Sequence, residues 1–254
     1  MEFEIHVHIL LILFAVAFVA GFIDAIAGGG GMITIPALFL VGIPPHEALG
    51  TNKLQSSFGS FSATLHFYKT GHLHIKENIL HIFLVFFAAL CGTILLNFFD
   101  ASFLAKWIPF LLIIFALYFL FSPKIQDENK HGNMKNPLLL LFLICIGFYD
   151  GFFGPGTGSF FMFALIACGG LSMKDSLART KLYNFTSNIA ALCVFMLHGQ
   201  ILFLVGFIMG IGQFIGANLG SKTALKHGAK IIKPLVVTIS LLVCTKLLYE
   251  QYFL

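Results

Sequence analysis

This sequence of 254 residues predicts an all-α polytopic membrane protein made of two homologous, inverted repeats with broken, short helices. Three observations predict it. The chain is 58% hydrophobic and only 10% charged, against about a quarter charged in an ordinary soluble domain. Several stretches of roughly 20 residues carry almost no charge and are long enough to cross the hydrocarbon core as helices. Glycine-rich and lysine-bearing blocks recur in the same order in each half. Water solubility is thereby excluded. The net charge of +4 is no nucleic-acid signature, because the lysines sit in short loops between apolar runs and form no single basic surface.

Apolar runs fall at roughly 9–27, 32–43, 54–68, 78–99, 103–121, 137–153, 159–170, 182–197, 201–219 and 234–249. The first is expected to be a retained span, since Glu2 and Glu4 stand where a secretory signal would carry lysines. The runs 32–43 and 159–170 are too short to span at a rise of about 1.5 Å per residue. Each follows a glycine break. Cys91, Cys145, Cys168, Cys193 and Cys244 lie in apolar runs without CxxC spacing, so neither a disulfide framework nor a zinc site is expected. Gly206, Gly210, Gly212, Gly216 and Gly220 recur at helical spacing in one run, a pattern for close helix packing.

The repeat is visible residue by residue. GFIDAIAGGGG at 21–31 overlays GFYDGFFGPGT at 147–157, and ALGTNKLQSSFGS at 48–60 overlays SLARTKLYNFTSN at 176–188. Paired positions include Gly21 with Gly147, Asp24 with Asp150, Gly28 with Gly154, Gly30 with Gly156, and Lys53 with Lys181. Acid and lysine pairs in order within apolar surroundings are hard to obtain by chance. The chain divides into a first repeat, 1–122, a connector, 123–136, and a second repeat, 137–254. Short lysine-rich loops stay in the cytoplasm. That rule places the loop with Lys222, Lys226, Lys230 and Lys233 inside, together with the connector carrying Lys124, Lys130 and Lys135. Both termini then lie outside if each short segment crosses. The alternative, with each short segment re-entering, makes the halves parallel.

Charged groups at membrane depth persist when they are paired, hydrated or used. Asp24 and Asp150 each precede a glycine break by one helical turn. They are candidates for proton or ion coupling, or for the counter-charges of Lys53 and Lys181; as helix-end carboxylates they would simply bind freed backbone N–H groups. Gly28, Gly29, Gly30 and Gly31 lead into one short segment, and Gly154, Pro155, Gly156, Thr157 and Gly158 into the other. A half-helix starting there offers unpaired N–H groups and partial positive charge to an anion. The run after each short segment supplies polar stripes, Lys53, Ser56, Ser60 and Thr64 in one and Lys181, Asn184 and Asn188 in the other. Neighbouring Asn52, Gln55 and Thr180 add donors. Such stripes are expected to face a cavity or another helix. These residues form the candidate substrate-binding set, for a small anion.

The blocks GFIDAIAGGGGMITIPAL and ALGTNKLQSSFGS, with the diverged copies GFYDGFFGPGTGS and ARTKLYNFTSN, resemble the TauE/SafE sulfite-exporter family of membrane permeases. The resemblance runs from Leu10 to Leu248. It implies a secondary transporter for sulfite, sulfonates or related organic anions in a bacterial cytoplasmic membrane, without choosing the anion, the direction or the coupling ion. Where the first copy has Thr51 and Asn52, the second has Arg179 and Thr180, which weakens the transfer to that half. No cofactor, metal or nucleic acid is expected; the partners are the anion and the lipid bilayer, and no motif sets the oligomeric state. One rival is a cation carrier using Asp24 and Asp150 as ligands. A remoter one is an intramembrane aspartyl protease, for which Tyr149-Asp150 supplies a YD but no GxGD accompanies it.

Overall fold

A computed structural model describes residues 6–121, 133–227 and 245. Among them every regular element is helical: α1 (Val7–Ala27), α2 (Gly31–Leu40), α3 (Pro45–Lys69), a 3₁₀ turn (Ile75–Asn78), α4 (Ile79–Leu96), α5 (Ala101–Phe121), α6 (Pro137–Phe152), α7 (Thr157–Ala167), α8 (Met173–Leu197) and α9 (Phe203–His227). Local chemistry sets the starts. Pro45 and Pro137 occupy the first turns of α3 and α6, where a missing N–H is harmless. The Asn136 side chain accepts from Leu138 N–H, and Ser172 accepts from Asp175 N–H to open α8.

Both glycine breaks are real interruptions. Gly28 and Gly29 end α1 with positive φ, and Gly154 and Gly156 separate α6 from α7 in the same way. The helices that follow have 10 and 11 residues, roughly half a bilayer crossing at 1.5 Å per residue. Among the described residues, Val7–Ala27, Ile75–Leu96 and Phe203–Ala224 are long and apolar enough to span a membrane. The molecular exterior is correspondingly apolar, with Phe87, Phe98, Leu197 and Leu204 exposed. A water-facing surface of this kind would aggregate; facing lipid, it is at home.

The fourth helix of each half packs on the first and third helices of the other. α9 lies along α1 and α3, and α4 lies along α6 and α8. Glycines make both contacts close. A Cβ on Gly216 would stand 2.0 Å from the Phe18 carbonyl oxygen, and one on Gly151 would stand 1.9 Å from that of Ala89. The α9 glycines divide by face: Gly206 and Gly210 meet Leu54 and Phe58 of α3, whereas Gly212, Gly216 and Gly220 meet the α1 backbone. Close packing is their structural use.

Several boundaries depart from the apolar runs. α3 and α8 begin well before residues 54 and 182, because the polar residues ahead of those positions, among them Asn52, Lys53, Thr180 and Lys181, are helical and buried. Lys222 and Lys226, expected in a loop, fall on α9, which runs past the apolar segment as far as His227. The run 234–249, the termini Met1 and Leu254, and Lys124, Lys130, Lys230, Lys233 and Cys244 lie outside the described residues.

Candidate functional site

The two breaks meet. A Cβ on Gly28 would lie 2.8 Å from the Ser159 nitrogen and 2.9 Å from the Gly158 carbonyl carbon, and the Ser159 hydroxyl donates to the Ala27 carbonyl at 2.9 Å. The starts of α2 and α7 therefore converge from opposite halves. Between them and the polar faces of α3 and α8 lies a small cavity of about 40 Å³. One water needs on the order of 10–15 Å³ of such space. The cavity holds a few waters or one compact oxyanion, not a bulky apolar ligand.

Its walls come from both halves. Gly29, Gly31, Gly154, Gly156, Thr157 and Gly158 present the helix starts. Asn52, Lys53, Ser56 and Ser60 line it from α3, and Asn184 and Asn188 from α8. Asp24, Asp150 and Gln213 complete the wall. The remaining predicted residues do other things. Gly28 packs against α7, and Gly30 donates its N–H to Asp24 Oδ1 at 3.1 Å. Gln55 donates to Asn52 Oδ1 at 2.7 Å, a group that also accepts from Thr34 at 2.6 Å. Thr180 and Lys181 are buried behind the lining, and so is Thr64.

Both lysines are ion-paired, and each pair joins one half to the other. Lys53 Nζ lies 2.8 Å from Asp150 Oδ1, with side chains 3% and 5% exposed. Lys181 Nζ lies 3.0 Å from Asp24 Oδ2, with 0% and 16% exposed. Each ammonium also donates to the backbone carbonyl of its aspartate. Such burial is tolerable only because each charge has a partner. The two aspartates thus act as counter-charges, and Asp24 also caps a freed N–H at the break.

The pairs are unequal. Asp150 accepts from the Thr157 hydroxyl at 3.1 Å and from the Ser187 hydroxyl as well. At the matching positions the first repeat has Gly31 and Gly59, so Asp24 lacks both hydroxyl donors. The lysine and aspartate charges cancel, which leaves a polar cavity without net charge. Ser187 and Gln213 were not among the predicted residues. Ser187 sits inside a quoted repeat block, while Gln213 is, with Asn218, one of two polar side chains in the apolar run 201–219 and could have been flagged on that ground.

Converging half-helix starts, buried cross-half ion pairs and an apolar exterior define a helical membrane transporter. The chain belongs to the sulfite exporter TauE/SafE family, which it matches over residues 13–247. It is 48% identical to a probable membrane transporter protein, ORF9, of Sinorhizobium, over 96% of this chain and 94% of that one. It is 45% identical to a probable membrane transporter protein of Haemophilus influenzae, covering 98% of both. With the probable membrane transporter protein YfcA of Escherichia coli K12 the identity is 42%, over 96% and 91%. No solved structure matches the chain.

Proposed function

We propose that the protein is a secondary transporter that moves a small organic or sulfur-containing anion, of the sulfite or sulfonate class, across the bacterial cytoplasmic membrane. It works by alternating access as a multi-pass protein with inverted repeats. The observation that supports this most is the meeting of two helix starts from different halves at one polar cavity. Backbone N–H groups and the positive ends of two helices suit a compact oxyanion. Exchange of packing partners between the halves, α9 on α1 and α3, α4 on α6 and α8, fits repeats related by a two-fold axis. Both aspartates are committed to lysines, so the cation-carrier reading has no free ligand pair to use.

Binding to purified protein tests the substrate class. With sulfite, sulfate, thiosulfate, sulfoacetate and short carboxylates as the panel, a compact oxyanion or sulfonate is expected to bind at about one per chain. A divalent metal that binds while no anion competes would overturn the proposal.

Coupling follows from the charge balance. An anion entering a site whose lysines are already neutralised needs a compensating positive charge, and a proton on Asp24, the less fully bonded carboxylate, supplies it. Asp24→Asn leaves the buried Lys181 ammonium without its counter-charge, which lowers stability; the folded protein is expected to exchange anion but to lose transport driven by a pH gradient. Proteoliposomes distinguish the two: anion exchange persists while net proton-driven flux disappears. Unchanged net flux would remove Asp24 from the coupling step.

A further inference from the structure

Gln213 stands apart from the rest of the cavity. It comes from α9, is 2% exposed, and has no counterpart among the repeated motifs. Two glycines clear its place. A Cβ on Gly21 would lie 2.5 Å from the Gln213 carbonyl oxygen and 2.8 Å from its Cγ, and one on Gly59 would lie 2.5 Å from Cγ and 2.9 Å from Nε2. In the other half, Gly147, the repeat partner of Gly21, faces Val85 of α4. Val85 is apolar and fully buried. Helix packing at this position therefore does not require a carboxamide. Where the second half places the Ser187 hydroxyl, the first has Gly59 and the Gln213 side chain reaching over it.

The amide nitrogen lies against Gly59, and Gln213 Oε1 has no hydrogen-bond donor among the described residues. Asn184 Oδ1, also in the cavity wall, is a second buried acceptor without a donor. A buried acceptor left unmatched is unfavourable. Beside backbone N–H groups and Lys53, which suit the charged oxygens of an anion, such acceptors suit a ligand with a donor of its own. The geometry points to Gln213 as a specificity-determining residue, contacting substrate through Oε1 and selecting small oxyanions that carry an O–H or N–H beside their charged oxygens. This deepens the anion reading and rests on it.

Matched ligand pairs at one pH test the assignment without titrating the protein: hydroxymethanesulfonate against methanesulfonate, and glycolate against acetate. Wild-type protein is expected to prefer the hydroxylated member on the order of tenfold. Gln213→Leu should erase that preference, bringing the ratio of the two affinities in each pair to about one, whatever it does to the affinity for methanesulfonate itself. Gln213→Glu keeps an acceptor in nearly the same shape; it should retain the preference while weakening both anions by repulsion, and it decides the matter if the leucine variant does not fold. A preference that survives in Gln213→Leu, is absent in wild type, or is lost in a folded Gln213→Glu would overturn the role of Gln213. If wild type binds none of these anions, nor any in the larger panel, the anion reading itself falls, and the Gln213 assignment with it.

Discussion

Lys53→Ala is expected to destabilise the folded protein by about 3–5 kcal/mol, the usual effect of removing one member of a buried ion pair. Asp150 would stay 4% exposed with only the Thr157 and Ser187 hydroxyls to stabilise its charge. The double variant Lys53→Ala/Asp150→Asn removes both charges and should recover most of that loss, yet still fail to bind anion with wild-type affinity. Thermal unfolding in detergent, followed across the four members of the cycle, reads the first effect, and ligand titration of the double variant reads the second. A single variant as stable as wild type would show that the pair contributes nothing to the fold. A double variant with full anion affinity would remove Lys53 from the site.

Gly28→Ala should be nearly as damaging, although it adds one methyl group. Gly28 has φ 76° and ψ 169°, a region open to little besides glycine, where another residue costs on the order of 1–3 kcal/mol. The added Cβ would also run into the Gly158 and Ser159 backbone, which has no side-chain freedom with which to yield. The start of α7 must then retreat from the end of α1, and the two helix starts no longer converge. Loss of transport with a lowered melting temperature is expected, whereas Gly71→Ala, whose Cβ meets nothing within 4 Å, serves as the control for backbone strain alone. Wild-type transport by a Gly28→Ala protein would show that the approach of the two breaks is dispensable.

Much of this arrangement could be read from the residues. The glycine breaks and the short helices after them follow from local composition, because few other residue types adopt those backbone angles. Asp24, Asp150, Lys53 and Lys181 were identifiable as a set, since the repeat places them in register. Their crosswise pairing was not, for it depends on which helices pack together, and nothing in either block specifies that. Hydropathy also misplaced the starts of α3 and α8: buried polar residues such as Asn52 and Thr180 read as loop when burial is equated with apolarity. Gln55 and Thr180 entered the candidate set through proximity in sequence, but adjacent positions on a helix point about 100° apart. Gln213 was overlooked for the opposite reason. A search for symmetry passes over the residue that breaks it.

The crosswise ion pairs also constrain how the molecule is born. A nascent chain enters the bilayer from its N-terminus, so Asp24 and Lys53 reach the membrane before Asp150 and Lys181 have been synthesised. Until then each is a charge without its eventual partner. Both pairs are complete only once α8 has been made, because Lys181 arrives there and Asp150 has already come with α6. A chain that stops before α8 can match Lys53 with Asp150 but leaves Asp24 without its counter-charge.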